Sequence, residues 1–367
     1  MEGTLRGGIY IKSKPSCYSP GQLARYLTRI QYTPKEHAEE TFIADGSFPA
    51  NFENLERLMR LHLVAFPFDN TAMHYTPSHV VDVDPQSLYR RLLDEKKGSY
   101  CFGQSSFVLH ILRGLGYRAY NAAGRVNVHR LLEPTDFPPY DHVIVFVQPI
   151  SDSNITYLFD VGFSNGPSRP ILLTDSDKSI VFGTTETERF RIRKRADPRS
   201  SLESRDTSNN MHLDWALEVQ HVNKHTPDPL TAPWIPLYPF NEEEFYENDI
   251  YNASFSFCTS PMPIHGGRLR NNIVASKCFL LDSEGNLIFD SDIAARELVN
   301  TDISKRNLGR ALLFGKELKF IRGGESETTV LKTESERIAV LKDYFGIVIT
   351  DEEKGHIRGL PSAIDVE

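Results

Sequence analysis

The apolar residues of this chain change their period about a third of the way along. Before Gly116 they recur at steps of three and four, the spacing of an amphipathic helix. Ser19-Pro20 opens the first such run, a side-chain cap followed by a residue with preset φ, and Leu23, Tyr26, Leu27 and Ile30 mark its inner face. A second helix is predicted from about Asn54 to Ala65, stopping ahead of Pro67. A third opens at Asp84-Pro85, carries Leu88 and Leu92 on one side and stops at Gly98. A fourth starts at Cys101, with Phe107, Val108, Ile111, Leu112 and Leu115 as its stripe and Gly116 as its stop.

After Gly116 the runs shorten and become β-branched and aromatic. RAYNAAGRVNV, DHVIVFV and TYLFDVGF read as strands. A longer segment, from ERFRIRKRA to HLDWALEV, alternates at both ends: Phe190 with Ile192, then Leu213 with Trp215 and Leu217. That pattern predicts a hairpin with a long charged insertion at about 196–210. Arg189, Arg191, Arg193, Lys194 and Arg195 suit a solvated strand edge better than a phosphate site. A Pro- and His-rich connection at 225–239 leads to a third region. There LDSEGNLIFD predicts a hairpin turning at Gly285-Asn286. ESERIAVLKDYFGI predicts a late helix with Ile338, Leu341 and Phe345 on one side. The chain has no internal repeat.

Composition narrows the function. The 367 residues leave room for two or three domains. A net charge of -8 gives no ground for general nucleic-acid binding. No stretch approaches the about 18 apolar residues of a membrane span, and the N-terminus has no apolar core suited to a signal peptide, so the expected compartment is the cytoplasm. Cys17, Cys101, Cys258 and Cys278 form no C-x-x-C pair, so neither a thiolate zinc site nor a disulfide framework is expected. His74, His79, Asp82 and Asp84 lie close together but match no ligand spacing, so no metal is expected.

Cys101 is the exception among the four thiols. It follows Gly98-Ser99 at a helix start, where unpaired N–H groups and the helix dipole favour a thiolate. A nucleophile needs a base, and the base needs an orienting group. His142 opens the strand DHVIVFV. Asp160 lies among apolar residues of TYLFDVGF, where a carboxylate requires a partner. A hairpin of two neighbouring strands brings them together, leaving one imidazole nitrogen for Cys101. The order cysteine on helix, histidine on strand, aspartate on next strand also occurs in papain-like and transglutaminase-like enzymes.

Six segments in order resemble the arylamine N-acetyltransferases, in a fungal or eukaryotic form with a divergent active-site motif. RYLTRIQY is similar to the family's first helix. LVAFPFDNTAMHY is similar to its I-P-F-E-N segment, with Asp69 for Glu. KGSYCFGQS resembles R-G-G-[YW]-C-[FL]-[EQ]-x-N. DHVIVFV and YLFDVGFS resemble the histidine and aspartate strands, and FSFCTSP the late segment near coenzyme A. The resemblance implies an α+β fold: a helical domain at 1–118 carrying the nucleophile, an antiparallel β-barrel domain at 119–232 carrying histidine and aspartate, and an α/β lid at 233–367. It implies Cys101 as nucleophile, His142 as base and Asp160 as orienter. It places Phe68, Phe163 and Tyr100 at the substrate and Thr259 and Ser260 at coenzyme A. It further implies a ping-pong transfer of acetyl from acetyl-CoA to an arylamine or hydrazine, in a monomer or weak oligomer.

The motif departs from the family at Lys97, Ser99, Gly103 and Ser105. The Arg/Glu pair that ties the turn in the family is therefore expected to be missing, and Gly103 is expected to open space beside the thiol. A roomier pocket suits a larger acyl group such as propionyl or malonyl, or an unusual amine. Three alternatives stand beside this reading: an amide synthase fed by a carrier-protein thioester, a papain- or transglutaminase-like hydrolase, and a non-catalytic binding module on the same scaffold.

Overall fold

A computed structural model describes residues 2–133, 138–197, 200–203, 212–222, 226, 228–260, 267–300 and 302–364. The helices predicted before Gly116 form as Pro20–Arg29, Phe52–Ala65, Pro85–Tyr89 and Cys101–Gly114. Ser19 and Gln22 close a reciprocal capping box at the first, and Asn51 caps the second. The third continues into a wider turn over Arg90–Asp94 and ends before Lys96, whose φ is 56°. Gly98, the predicted stop, has a different task. A Cβ there would stand 2.1 Å from the Pro67 carbonyl oxygen, so only glycine lets this turn lie against the Pro67 backbone.

The Cys101–Gly114 helix is buried from Cys101 through Leu112, far more than one stripe. It is enclosed because it lies between the other helices and a sheet. Its Phe107, Val108 and Ile111 share a core with Leu23, Tyr26, Leu58 and, from the sheet, Val145 and Val147. That sheet has eight antiparallel strands, in the order Ile171–Leu172, Tyr157–Phe159, His142–Gln148, Arg118–Gly124, Ile235–Phe240, Leu213–His221, Glu188–Ala196, Val181–Phe182. Ile171–Leu172 comes back against Glu188–Ala196, so the sheet nearly closes into a barrel. Side chains alternate across a strand. Ile144 and Phe146 therefore fill the barrel with Leu158, Phe190 and Leu217, while Val145 and Val147 face the helices. Burial on both faces is why HVIVFV reads as an unbroken apolar run.

Four expectations are corrected. The strand of RAYNAAGRVNV ends at Gly124, because Asn127 holds the next residues as a loop, its amide donating to Leu131 O and Pro236 O at 2.8 Å each. The strand of TYLFDVGF ends at Phe159, so Asp160 sits just beyond it. The basic residues are not a solvated edge: Arg191 and Arg195 bind Glu218, Arg193 binds Asp177, and the strand pairs along its whole length with Leu213–His221. LDSEGNLIFD makes a tight turn with one bridge, Leu281 to Leu287, rather than a hairpin of strands. Its last residue, Asp290, leaves the turn to accept from the N–H groups of Asp292 and Ile293 at the start of Ser291–Asn300. Most of the charged insertion lies outside the described residues; the hairpin that carries it forms, with Ala196 opposite Leu213.

A second antiparallel sheet runs Phe68–Asp69, Val274–Leu280, Leu308–Phe314, Glu317–Arg322, Glu325–Val330. Its first strand comes from the N-terminal region, so the segment before Cys101 is stitched to the third region. The late helix, Glu334–Phe345, ends at Gly346 with φ 71°. Its buried Arg337 binds Glu334 and donates to Ser362 O at 2.9 Å, fastening the C-terminal segment. Among the described residues, no helix is long and apolar enough to cross a membrane.

Candidate active site

The turn before Cys101 is held by a buried ion pair. Asp69 Oδ2 accepts from Arg91 Nη2 at 2.7 Å and from the Gly98 N–H at 3.2 Å, while Oδ1 accepts from the Thr71 N–H at 2.6 Å. Arg91 Nε also donates to Gly98 O at 2.6 Å. One guanidinium thus grips both the carboxylate and the turn, a fork geometry that lysine cannot supply. The turn leads directly into the helix at Cys101. No side chain caps that helix, which leaves the first-turn N–H groups of Cys101, Phe102 and Gly103 without an intrahelical acceptor.

Two contacts seat this helix on the barrel. Ser105 Oγ donates to Val143 O at 2.7 Å, and the Cys101 thiol points to Asp141 O at 3.5 Å. Strand His142–Gln148 therefore presents His142 beside the thiol. His142 Nε2 bonds Asp160 Oδ2 at 2.8 Å, which leaves Nδ1 for Cys101. Gly162 lets the Asp160 segment come this close: a Cβ there would lie 2.9 Å from Cys101 Cα. Asp160 Oδ1 accepts from the Gly162 N–H at 2.9 Å, and Oδ2 takes a second donor, the Tyr238 hydroxyl, at 2.6 Å.

Burial works against a charged His142, but the Asp160 carboxylate, its hydrogen bond and the Cys101 side chain together outweigh it and raise the imidazole pKa. An imidazolium beside a thiol favours the thiolate, the nucleophilic form. Burial, with the Asp160 charge, pushes the Tyr238 phenol well up, so it remains a donor. A cleft of about 940 Å³ opens over Cys101 and His142, walled by Phe68, Phe163, Phe257 and Phe314. Chemically the arrangement offers a nucleophile, a proton carrier, free N–H groups for a developing oxyanion and an apolar chamber.

A sequence model of an N-acetyltransferase family matches residues 51–275, a span that holds the turn, Cys101, His142, Asp160 and Tyr238. The chain belongs to the arylamine N-acetyltransferase family. It is accordingly an acyltransferase. Its curated relatives include an N-malonyltransferase, FDB2, of Fusarium pseudograminearum, 25% identical over 98% of this chain and 97% of that protein. An arylamine N-acetyltransferase of Mycobacterium tuberculosis is 26% identical over 90% of each chain. Among solved structures, the Mycobacterium marinum arylamine N-acetyltransferase in complex with CoA superposes with a TM-score of 0.65 at 21% identity, over 94% of this chain and 100% of that one. The Salmonella typhimurium enzyme gives the same TM-score at 17% identity, over 93% and 98%.

Against the family motif, two expectations change. The ion pair tying the turn is present, but Arg91 supplies its cation; Lys97 instead binds Glu353 at 2.5 Å. Gly103 opens no space. A Cβ there would lie 2.0 Å from Ser99 Oγ and 2.8 Å from Leu88 Cδ2, so the serine at 99 occupies the room that glycine at 103 vacates.

Of the sequence-predicted residues, Cys101, His142, Phe68 and Phe163 line the cleft, and Asp160 stands behind His142. Tyr100 turns the other way, its hydroxyl 2.5 Å from Ser254 Oγ. Thr259 and Ser260 end the Glu247–Thr259 helix; Thr259 Oγ1 bonds Phe255 O at 2.7 Å, and the helix reaches the cleft through Phe257. Tyr238 and Arg91 were not anticipated. Tyr238 lies in WIPLYPF, where nothing local reports that its hydroxyl ends on a carboxylate. The four candidate metal ligands have other partners: His74 bonds Ser362 and Leu269 O, His79 bonds Met73 O, Asp82 bonds the Asp84 N–H and Asp84 caps Pro85–Tyr89.

Proposed function

We propose that this protein is an acyl-CoA-dependent arylamine N-acyltransferase working through a thioester on Cys101. The observation that carries the reading is the Cys101–His142–Asp160 arrangement under an aromatic cleft. The Cys101 thiolate attacks the thioester carbonyl carbon of the donor. The first-turn N–H groups receive the oxyanion. The bond to the coenzyme A sulfur breaks, and that thiolate takes the proton held on His142. One thioester replaces another, so this step is close to balanced in energy. An arylamine or hydrazine then enters, its nitrogen attacks the acyl carbon, and His142 takes the nitrogen's proton as Cys101 leaves. Asp160, with Tyr238 behind it, keeps the imidazole in one orientation throughout.

Intact-mass measurement after exposure to acyl-CoAs tests this directly. One acyl group is expected on the wild-type chain and none on Cys101→Ala. Equal labelling of both overturns the reading. Turnover of a glutamine amide or peptide without coenzyme A favours a hydrolase, and acylation solely from a carrier protein favours an amide synthase. A Cys101 that iodoacetamide alkylates no faster than Cys17, Cys258 and Cys278 supports the binding module. A second reading of the donor, malonyl-CoA in place of acetyl-CoA, is favoured by the N-malonyltransferase that aligns over nearly the full length of this chain.

A further inference from the structure

The cleft carries positive charge that the acyl-transfer steps do not use. Arg130 and Arg268 both line it. The Arg130 guanidinium stands over the Phe163 ring, 5.9 Å from its centroid, and that ring meets His142 edge-on at 5.2 Å. Among the described residues, Arg130 makes no side-chain hydrogen bond and no ion pair. Arg268 Nη1 donates to Val128 O at 2.9 Å, and its guanidinium lies over Phe314. The acid nearest in effect, Glu188, is already engaged with Arg310 and Thr184.

The loop presenting Arg130 is built rather than loose. Asn127 ties it to Leu131 and Pro236, its N–H bonds Leu237 O at 2.7 Å, and Val126 N–H bonds the Asp141 carboxylate at 2.8 Å. Arg130 itself is held at φ 51°, a left-handed conformation that non-glycine residues seldom adopt. Two guanidinium groups lining one half-buried cleft, neither in an ion pair among the described residues, form a site that an anion completes.

We propose that Arg130, supported by Arg268, binds the free carboxylate of a dicarboxylic acyl group, so that the preferred donor is a malonyl-type thioester and Cys101 carries malonyl. This rests on the acyl-CoA reading above and names its substrate class. Position separates the acyl carboxylate from the phosphates of coenzyme A. The phosphates lie at the far end of the pantetheine arm from the thioester, whereas one aromatic ring separates Arg130 from His142. A guanidinium can also take a carboxylate through two parallel N–H bonds, which fixes the acyl group's orientation. The carboxylate is unchanged in the reaction: the carbonyl carbon passes from the coenzyme A sulfur to Cys101, and the proton on His142 leaves with coenzyme A.

The test is the rate of Cys101 acylation by malonyl-CoA and by acetyl-CoA, followed by intact mass with no amine present. Wild type is expected to prefer malonyl-CoA. Arg130→Gln is expected to lower the malonyl-to-acetyl rate ratio about ten- to a hundred-fold, the weight of one charge-assisted hydrogen-bonded contact. Arg130→Lys, which keeps the charge but not the fork, is expected to fall between. A ratio that stays put in Arg130→Gln while both rates drop assigns the arginine to coenzyme A phosphates or to folding and overturns the proposal. So does a ratio that changes only when a carboxylated arylamine is added, which assigns it to the acceptor. If neither donor acylates wild type, the acyl-CoA reading falls and this proposal with it. If wild type is acylated and Arg130→Gln keeps its ratio, this proposal alone falls.

Discussion

Gly103→Ala sets two physical effects against each other. Alanine is the better helix former by about 1 kcal/mol, so on local propensity the change stabilises. Packing says the reverse. The new methyl would fall 2.0 Å from Ser99 Oγ, 2.7 Å from Ser99 Cβ and 2.8 Å from Leu88 Cδ2. Ser99 Oγ can rotate, but its Cβ is fixed by a turn that is itself clamped by Arg91 and Asp69. Overpacking of this kind costs about 1–3 kcal/mol, so the net effect expected is a loss of up to about 2 kcal/mol. The double change Ser99→Gly with Gly103→Ala removes both clashing serine atoms. It also removes a buried hydroxyl that has no hydrogen-bond partner. The pair is therefore expected to be coupled by about 1–2 kcal/mol, the double variant recovering most of what the single one loses. Denaturant unfolding of wild type, both single variants and the double variant closes the cycle. The acylation rate of Cys101 is followed alongside, because Gly103 lies in the helical turn that starts at the thiol. Two effects that simply add refute the claim that positions 99 and 103 exchange volume.

Tyr238→Phe removes the second donor to Asp160; a stability loss of about 1–3 kcal/mol and acylation slowed about ten-fold are expected, and a wild-type acylation rate excludes a positioning role. Arg91→Lys breaks the fork that holds Asp69 and Gly98 together and is expected to cost about 1–3 kcal/mol. Lys97→Gln loses an ion pair nearer the surface and is expected to cost about 1 kcal/mol or less, so a denaturation ranking with Lys97 the costlier would return the tie to the family's usual position. Burial pushes the Asp141 carboxyl up to about 7 from its ordinary 3.8. Between those values the folded chain keeps a proton that the unfolded chain has released. The group thus favours folding at low pH and progressively stops doing so as pH rises from about 4 to about 7. Asp141→Asn keeps an acceptor for the Val126 N–H and is expected to flatten that decline; an unchanged difference in unfolding free energy between pH 5 and pH 8 counts against it.

The sequence determined the features that rest on near neighbours. Apolar spacing of three and four, with Ser19, Asp84 and Gly116 as punctuation, specified the early helices because caps and stripes act within a few residues. The β-branched and aromatic run of HVIVFV announced a strand. A cysteine at a helix start, a histidine at a strand start and an acid among apolar residues marked the candidate catalytic groups, since each placement needs a chemical reason.

The tertiary structure alone decided what meets across the fold. Phe68–Asp69 joins the third region's sheet through Ser276 and Ala275, a pairing that two residues cannot signal. Arg91, not Lys97, reaches Asp69 because the wider turn after Tyr89 carries its side chain back over Gly98. Ser99 and Gly103 look like two separate losses from the family motif and are one exchange of volume. Tyr238 finds Asp160, and Arg130 finds the cleft, from strands and loops whose local patterns are ordinary. Periodicity reports which way a side chain points relative to its own backbone. It carries no information about which distant group stands there, and the chemistry of this site depends on those distant groups.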